Sequence, residues 1–365
     1  MAPARTAEDL PPYEYPEETK EKLEYADLEA LDISKLDQPG GKQALAEQVL
    51  GFINKNGFFY VVGHGFTDTE VRRQYAICKE VLDLPLEEKL KYQCDTAAGD
   101  FRGYKPQSTD KKLAARDNDE RYNIPKFTPE HERPHPQPII DHWDEIRAFS
   151  LKVHDALLVP LLRLFAAVLE LYDEDFFVRR HRYDAKGLEY LRYMRYFPRP
   201  RDEDAAAGDI WAKGHTDYNT LTFLFHQPVT GLQVQTPGGE WRHVRSPRDA
   251  VVVNIADALE FLSGGYLKST VHRVVRPPED QAGRPRLSLI YFARPEANII
   301  LEPVDSPLLR RIGLGERSER ERFARKVTAE EWARARIAKD HRFRTGVVDQ
   351  REKEIIAGVA QTYYD

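Results

Sequence analysis

Two histidines and an aspartate near the middle of the chain have the types and spacing of metal ligands. His215 and Asp217 lie two residues apart in GHTDYNTLTFLF, and His272 follows in STVHRVV. Side chains at i and i+2 of an extended segment point to the same face, so His215 and Asp217 can reach one ion while Thr216 points away. Two imidazoles and one carboxylate leave three octahedral positions open, as iron(II) requires to hold a co-substrate together with dioxygen. The three residues are therefore the predicted ligands of an iron(II) centre.

The same alternation recurs at Arg286 and Ser288 in the segment RLSLIYFA. A guanidinium and a hydroxyl on one face of a strand converge on one point, and a buried arginine without an acidic partner costs free energy. A ligand carboxylate would satisfy this arginine, and 2-oxoglutarate is suited because its 2-oxo acid end can chelate the metal. Arg286 and Ser288 are therefore the predicted anchors of 2-oxoglutarate, whereas Arg284 is predicted to be a solvated loop residue.

Continuing this strand predicts which side chains meet the substrate. If Arg286 faces the barrel interior, Phe292 and Arg294 face it too, as an apolar wall near the iron and a cation toward the rim. Arg195, on the face of Phe197 in the strand LRYMRYF, is a second candidate cation. The alternative is that Phe292 is core and Arg294 a surface residue, which would place the pocket under the loop GDFRGYKPQ or the C-terminal tail.

A second metal-like pattern, HERPH at residues 131–135, matches the HExxH string of zinc peptidases. Two histidines at i and i+4 bind one metal only on a continuous helix, and Pro134, Pro136 and Pro138 prevent one. The segment is therefore interpreted as a Pro-rich surface loop.

The elements that must position these residues change in character along the chain. The first half favours helices, including one that ends at Asn56-Gly57 and a longer one from about Trp143 to Leu171 with a kink at Pro160. A short buried strand is predicted at Phe58–Val62. After about Leu188 the pattern shortens into strands typical of a barrel or sandwich: LRYMRYF, TLTFLF, GLQVQT, AVVVNIA, STVHRVV and RLSLIYFA. Near the end, Thr-Ala-Glu-Glu at residues 328–331 predicts a capping box that starts another helix.

Composition narrows the class of protein. The 365 residues carry a net charge of −6 with acidic and basic residues interspersed, which argues against nucleic acid as a partner and favours a small molecule. No apolar run reaches the roughly 18 residues of a membrane span. Cys78 and Cys94 lack the spacing of a metal or disulfide motif and are predicted to be packing residues. These features predict a cytoplasmic protein; the oligomeric state is left open.

The ordered motifs resemble the 2-oxoglutarate and Fe(II)-dependent dioxygenases of the isopenicillin N synthase-like type. ALDISKL and FINKNGFFYVVGHGF resemble that family's N-terminal part, and the core segments from His215-Thr216-Asp217 to Arg286-x-Ser288 resemble its catalytic part. The resemblance extends over roughly residues 28–336. It implies a distorted jelly-roll barrel, a mainly β fold with flanking helices, and hydroxylation, desaturation or ring closure of a small molecule with release of succinate and CO₂.

With this fold, four segments are expected. Residues 1–24 form a mobile tail, 25–185 a helical region with the first barrel strands, 186–305 the jelly-roll catalytic core, and 306–365 C-terminal helices and a tail packed on the same single domain. The first segment follows from its acidic, Pro-rich composition.

Two features depart from the family pattern. Many plant members carry Asn-x-Tyr where this chain has Arg195 and Phe197, and Tyr196 is expected to face the opposite side of the strand. The segment between His272 and Arg286 contains PPEDQAGRP, a longer hairpin than usual, and the tail after Lys339 is also longer. Either extension is expected to be able to lean over the mouth of the active site.

Two alternatives remain open at this point. One is an iron oxidase of the isopenicillin N synthase kind, which takes all its electrons from its own substrate and forms no succinate. The other is a catalytically silent protein that binds a small molecule on the same fold.

Overall fold

The computed structural model describes residues 10–108, 118–314 and 326–344, together with the backbone at 354–356 and 359–360. Two β-sheets face each other, and helices cover the outer side of the larger sheet. The helices are α1 (Gly41–Asn56), α2 (Asp68–Leu82), α3 (Leu86–Leu90), α4 (Gln137–Asp141), α5 (Trp143–Val153), α6 (Val159–Val168), α7 (Arg201–Ala206), α8 (Asp257–Leu262), α9 (Pro307–Arg311) and α10 (Ala329–Arg344).

The larger sheet has eight strands in the order β1-β2-β10-β7-β12-β5-β4-β3, and the smaller has four in the order β6-β11-β8-β9. The strands are β1 (Ala30–Asp32), β2 (Phe58–Val62), β3 (Gly103–Lys105), β4 (Asp119–Pro125), β5 (Tyr190–Tyr196), β6 (Ile210–His215), β7 (Leu221–Leu224), β8 (Leu232–Gln235), β9 (Trp241–His243), β10 (Val251–Ile255), β11 (His272–Val275) and β12 (Arg286–Ala293). A further pair, β13 (Glu354–Ile356) and β14 (Val359–Ala360), forms a separate two-stranded sheet. All the predicted strands are present within two or three residues, and the arrangement agrees with the predicted jelly roll.

Alternation along β12 divides the two faces of the larger sheet. Leu287, Leu289 and Tyr291 pack into the main apolar core together with residues of α1, α2, α5 and α6. The residues between them line a cavity that the smaller sheet faces: Arg286, Ser288, Ile290 and Phe292. The strand that carries the predicted co-substrate anchors is thus held in place from behind by the core.

The long helix predicted from Trp143 to Leu171 is interrupted. α5 and α6 are joined by a π-helical turn, His154–Leu158, immediately before Pro160, and α6 ends at Val168. Proline has no N–H to donate, and its ring clashes with the carbonyl four residues earlier, so the backbone widens at that turn. The irregularity therefore lies where the proline predicted it, as a widened turn.

The junction between α1 and β2 depends on a glycine. α1 ends at Asn56, and Gly57 follows with a φ of 57°, a conformation that side chains with a Cβ rarely adopt. A Cβ at Gly57 would lie 2.3 Å from Thr270 Oγ1. The close approach lets β2 enter the larger sheet beside β10, and both the helix end and the strand agree with the prediction.

The predicted capping box at the start of α10 is present. The Thr328 N–H donates to Glu331 Oε2 at 3.0 Å, and the Glu331 N–H donates to Thr328 Oγ1 at 3.2 Å. Trp332, one residue further, is buried in the main core. A second capping box joins Thr67 to Glu70 at the start of α2 and was not predicted from the sequence. Both boxes satisfy N–H groups that a helix start leaves without partners.

Residues 10–24 differ from the prediction of a mobile tail, because they lie against the body of the protein. Tyr13 stacks on Tyr75 of α2 with ring centroids 5.2 Å apart, and the Thr19 hydroxyl donates to Asp280 at 2.7 Å. Composition predicted mobility because the segment is acidic and Pro-rich, but its tyrosines supply enough apolar surface to pack. The first nine residues lie outside the described part of the chain.

Two predictions from composition can be compared with the structure. Cys78 and Cys94 are both buried and free, which confirms their packing role. Among the helices of the described residues, none combines the length and the apolarity that crossing a membrane requires.

Candidate active site

The predicted metal ligands lie together between the two sheets. β6 ends at His215, and His272, the first residue of β11, lies directly opposite it in the antiparallel register. Asp217 follows β6, and its carboxylate oxygens lie 3.9 Å from His215 Nε2 and 3.8 Å from His272 Nε2. One ligand atom of each residue falls within 4.8 Å of the others, and the described residues contain no second group of this kind.

Hydrogen bonds orient all three side chains toward one point. The Nδ1 atoms of His215 and His272 lie 2.7 and 3.1 Å from the carbonyl oxygens of Lys213 and Thr270. A carbonyl accepts only, so each Nδ1 is the protonated nitrogen and each Nε2 lone pair is free for a metal. Asp217 Oδ2 accepts hydrogen bonds from the Thr222 hydroxyl and the Asn254 amide, at 2.6 and 3.0 Å. These contacts fix the trio in a metal-binding arrangement.

Burial and neighbouring groups set the charges of Asp217 and His215. Burial alone would raise the pKa of Asp217, but His272 and His215, with the hydrogen bonds from Thr222 and Asn254, lower it to about 2. Burial, and then the neighbouring His272, lower the pKa of His215 to about 4. At neutral pH the aspartate is therefore ionised and His215 is neutral, the forms in which these side chains bind metals.

Arg286 and Ser288 form a cationic point on the larger sheet. Arg286 Nη1 donates to Ser288 Oγ at 2.6 Å, and Nε donates to the Val229 carbonyl at 3.0 Å. Arg286 is only 4% exposed, and no carboxylate of the described residues lies within ion-pair distance of it. A buried guanidinium without a counter-charge is costly, so the geometry calls for an anionic ligand at this point.

The His-Asp-His trio and the pair of Arg286 with Ser288 border the same cavity, which has a volume of about 1160 Å³ and lies between the sheets. The segment 101–107 and α10 complete its wall. Of the residues predicted from the sequence, the cavity is bordered by His215, Asp217, His272, Arg286, Ser288, Phe292, Arg195 and Phe197. Arg284 is exposed in the loop before β12, as predicted.

Tyr196 faces the side of β5 opposite to Arg195, as expected, but this side is the one that faces Arg286. Tyr196 lies directly opposite Arg286 in the register of β5 with β12, so the two side chains share the cavity face, and Arg286 Cζ lies 5.8 Å from the Tyr196 ring. The prediction assumed that side chains alternate between the two faces as far as Phe197. β5 ends at Tyr196, so the alternation does not extend to Phe197. Burial raises the pKa of Tyr196, so its hydroxyl remains a hydrogen-bond donor beside the arginine.

Arg195 lies on the opposite face of β5. It is paired with Leu287 of β12, and its guanidinium forms ion pairs with Glu120 and Asp83. Although Arg195 also borders the cavity, two carboxylates already balance its charge. The structure therefore does not bring Arg195 to the same face as Arg286.

Arg192 occupies the inward face that Arg195 does not, and the sequence analysis missed it. Its Nε donates to Asn123 Oδ1 at 2.7 Å, and one Nη donates to the Tyr190 hydroxyl at 3.0 Å. The guanidinium carbon lies 4.6 Å from the Phe292 ring. Within the described residues no carboxylate pairs with Arg192. Arg192 lies opposite Ile290 of β12, and this position places it on the cavity face. The pairing of β5 with β12, however, cannot be read from the sequence.

Arg294 lies beyond the end of β12, behind the cavity wall. It is 4% exposed, and none of its three guanidinium nitrogens has a hydrogen-bond partner within the described residues. Its guanidinium carbon lies 4.4 Å from the Tyr218 ring, 4.9 Å from Phe101 and 5.2 Å from Tyr190. Arg294 therefore contacts rings that border the cavity and does not border it itself.

Of the two extensions expected at the mouth, the hairpin lies away from the cavity, and the tail after Lys339 falls largely outside the described residues. In the hairpin 276–285, Gln281 Nε2 donates to the carbonyls of Glu17 and Pro228, and no residue of the hairpin borders the cavity. α10 instead reaches the cavity with one face, through Arg336, Ile337 and Asp340.

The HERPH segment holds no metal-binding pair of histidines. His131 Nε2 lies 2.7 Å from the Gly187 carbonyl, and His135 Nδ1 lies 2.9 Å from the Tyr122 hydroxyl. The prolines exclude a helix across the motif, and Glu132 and Pro134 are exposed, as predicted for a surface loop, although both histidines are buried. Buried hydrogen bonds explain why these rings lie inside.

Comparison with known proteins identifies the family. Residues 188–295 match the 2OG-Fe(II) oxygenase superfamily, and residues 28–145 match the N-terminal region described for a non-haem dioxygenase in morphine synthesis. Leucoanthocyanidin dioxygenase 2 of Oryza sativa subsp. japonica is 30% identical over 291 residues, which are 76% of this chain and 74% of that protein. The 2-oxoglutarate-dependent dioxygenase frbH of a Dothideomycetidae species is 31% identical over 306 residues, 78% and 87% of the two chains.

A solved structure agrees in fold. A full-length Neurospora crassa protein, crystallised in complex with alpha-KG and 5-formyluracil, superposes with a TM-score of 0.72 and 25% identity over 87% of this chain and 99% of that one. The double-stranded β-helix, the His-Asp-His group and the two family matches thus agree with one another. The chain belongs to the 2-oxoglutarate-dependent Fe(II) oxygenases, enzymes that act on small molecules.

Proposed function

We propose that His215, Asp217 and His272 hold the Fe(II) of this enzyme and that Arg286 with Ser288 anchors 2-oxoglutarate. One observation carries the proposal: a His-Asp-His trio with free Nε2 atoms shares a cavity with a buried arginine that has no carboxylate partner among the described residues. The trio supplies metal ligands, and the arginine needs an anion. 2-Oxoglutarate meets both needs, because one end chelates a metal and the other is a carboxylate.

In this proposal the chain binds and orients its ligands. When bound, Fe(II), 2-oxoglutarate and dioxygen would supply the oxidising chemistry, with 2-oxoglutarate converted to succinate and CO₂ by one oxygen atom of O₂ and the other left for the substrate. Asp217 contributes one negative charge, so the site reduces the charge of the ion without cancelling its Lewis acidity. Arg286 holds the distal carboxylate with two donors, and Tyr196 stands on the same face as a further donor. The apolar wall that includes Phe292 excludes water from the reacting centre.

For the substrate, we propose a small planar molecule with a carbonyl or acidic oxygen. Phe292 offers an apolar surface beside the guanidinium of Arg192, which hydrogen-bonds to neutral groups and meets no carboxylate within the described residues. 5-Formyluracil, present in the complex of the Neurospora crassa protein, has these features. Of the cations predicted from the sequence, Arg195 is already paired, and Arg294 would act through the rings it contacts. Arg192 is therefore our preferred substrate cation.

The alternative reactions are not favoured. Relatives are named as 2-oxoglutarate-dependent dioxygenases, and Arg286, with no carboxylate partner among the described residues, would have no role in an iron oxidase without this co-substrate. A silent binding protein would not require three oriented ligands. Succinate formation separates the 2-oxoglutarate enzyme from the oxidase.

The experiment that tests the proposal is anaerobic addition of Fe(II) and then 2-oxoglutarate to the purified protein. We expect a visible metal-to-ligand charge-transfer band that His272→Ala abolishes and Arg286→Lys weakens at limiting 2-oxoglutarate. Planar acids and carbonyl compounds can then be screened for a perturbation of the band and for succinate formation in air. If the unaltered protein gives neither band nor succinate, the assignment of these residues is wrong.

We also propose that the enzyme serves small-molecule biosynthesis in the cytosol. The two free cysteines and the names of the relatives support this proposal. Fractionation of cells with an antibody to the chain tests the location; recovery of the protein in a membrane or secreted fraction would contradict it.

A further inference from the structure

A buried arginine of the C-terminal helix reaches the backbone between two predicted metal ligands. Arg336 of α10 is 1% exposed, and one Nη donates to the carbonyl of Thr216 at 3.0 Å. Thr216 lies between His215 and Asp217 and is 120 residues from Arg336 along the chain. The contact therefore links the end of the chain to the turn that carries two of the three ligands.

The second Nη of Arg336 binds the carboxylate of a residue that also contacts the same turn through its backbone. It donates to Asp257, the first residue of α8, which is also buried. The Asp257 N–H donates to the carbonyl of Asp217 at 2.9 Å. The Arg336 guanidinium carbon also lies 5.2 Å from the Tyr218 ring. Arg336 and its ion-pair partner Asp257 thus both contact residues of the turn 216–218.

Docking of α10 alone does not explain this ion pair. Trp332 and Ile337 of the same helix are buried and already supply apolar contact with the body of the protein. A buried ion pair has a large desolvation cost and is often no more stabilising than apolar side chains of similar size. The ion pair instead fixes the relative orientation of the groups it joins, because the planar guanidinium of arginine holds two acceptors at fixed positions. Here the two acceptors are the carboxylate of Asp257 and the carbonyl of Thr216.

Two further residues of α10 border the cavity, so the position of this helix also affects the cavity wall. Ile337 and Asp340 lie one residue and one helical turn beyond Arg336, and both border the cavity that contains the metal ligands. A displacement of α10 would therefore move part of the cavity wall and, through Arg336, release the ligand turn. Arg336 thus connects this part of the cavity wall to the ligand turn.

We propose that Arg336 is a positioning residue that sets the geometry of the His215-Thr216-Asp217 turn and ties it to the docking of α10 over the cavity. This inference rests on the proposed function. Its consequence is that the metal site is complete only when the C-terminal helix is seated, so that 2-oxoglutarate is consumed in step with substrate. Loss of the tie should leave the fold in place while loosening the metal site and uncoupling succinate formation from substrate oxidation.

Three substitutions in the full-length chain test the role of Arg336. Arg336→Lys keeps the charge but loses the fork, and Arg336→Met keeps the length but loses both. Arg334→Met is the matched control, because Arg334 lies on the same helix and pairs with Glu330 at the surface. The measurements are the anaerobic dissociation constant for Fe(II), the position and intensity of the charge-transfer band with 2-oxoglutarate, and the melting temperature.

We expect both Arg336 variants to bind Fe(II) roughly 10–100-fold more weakly and to shift or weaken the band, as for partners that orient metal ligands. Arg334→Met should match the unaltered protein in both. If Arg336→Met does not fold, Asp257→Asn removes the ion pair by another route and should also weaken Fe(II) binding. Unchanged Fe(II) affinity and band in Arg336→Lys, at any melting temperature, would reduce Arg336 to a helix anchor and overturn the inference. A missing band in the unaltered protein would instead refute the proposed function.

Discussion

The two ends of the cavity are built in different ways. At the metal end, two paired strands and the turn that follows the first of them supply the predicted ligands, and one strand supplies both co-substrate anchors at i and i+2. At the substrate end the wall comes from β5, β12, the segment 101–107 and α10, which are far apart in sequence. Two pairs of site residues, His215 with Asp217 and Arg286 with Ser288, are thus specified by short-range spacing, whereas His272 and the substrate surface reach the site only once distant elements meet. A family can keep the first and vary the second.

The largest effect should come from a metal ligand. His272→Ala removes one of three ligands, so we expect Fe(II) binding and turnover to fall by more than the ~10–100-fold typical of outer partners, with turnover below detection. Iron content and succinate formation are the measurements, and a melting curve checks the fold. His64→Ala, outside the cavity, should keep normal iron content. Near-normal activity and iron content in His272→Ala would refute the proposed metal site, and with it the contrast between the metal end and the substrate end of the cavity.

Much of the metal end could be predicted from the sequence, and the reason is local. Alternation along one strand fixes which side chains share a face, so His215 with Asp217 and Arg286 with Ser288 follow from spacing alone. The same rule placed Tyr196 on the face opposite to Arg195, but the sequence does not show which of these faces meets Arg286 or that β5 ends at Tyr196.

The substrate end was predicted less well for the same reason. Phe292 follows from alternation along β12, but Arg192 needs the register of a second strand. Arg336 needs a helix folded back over 120 residues to the ligand turn. Tail residues 10–24 were misjudged because composition does not show the surface that Tyr13 finds on α2. The end of α1 at Asn56 and the capping box of α10, which depend on adjacent residues, agree with the prediction, whereas α6 ends at Val168 and not at the predicted Leu171.

The next largest effect should fall on the co-substrate. In Arg286→Lys, one of the two hydrogen bonds proposed from the guanidinium to the 2-oxoglutarate carboxylate is lost. A hydrogen bond to a charged group contributes about 1.5–3 kcal/mol. We therefore expect the KM for 2-oxoglutarate to rise roughly 10–100-fold. Arg284→Lys in the exposed loop is the control and should leave the KM unchanged. Equal effects in both variants would mean that Arg286 does not bind the co-substrate.

A smaller effect should distinguish the two faces of β5. Arg192→Gln removes from the cavity face a guanidinium that no described carboxylate pairs with, so we expect the KM for the substrate to rise about tenfold, the equivalent of about 1.4 kcal/mol, with an unchanged KM for 2-oxoglutarate. Arg195→Gln breaks ion pairs with Glu120 and Asp83, and should instead lower the free energy of unfolding by about 1–3 kcal/mol. Kinetics and denaturant unfolding of both variants measure this. The reverse ranking would make Arg195 the substrate cation, as the sequence alone allowed.

The smallest effect should come from the two capping boxes, which have the same geometry but start helices with different roles. Thr67→Ala and Thr328→Ala each remove the hydroxyl that accepts from an N–H group in the first helical turn, at a cost of about 1 kcal/mol of unfolding free energy. In a chain of this size that is a fall in melting temperature of about 2 °C.

α2 supports the larger sheet from outside, while α10 borders the cavity. Arg336 lies two turns beyond Thr328, and the buried Trp332 holds the helix between them, so fraying at the first turn should not reach the ligand turn. We therefore expect both variants to keep kcat/KM within about twofold of the unaltered enzyme. A much larger kinetic loss in Thr328→Ala than in Thr67→Ala, at equal stability, would show that α10 is held chiefly by its N-terminal turn and that the substrate end of the cavity is a movable wall.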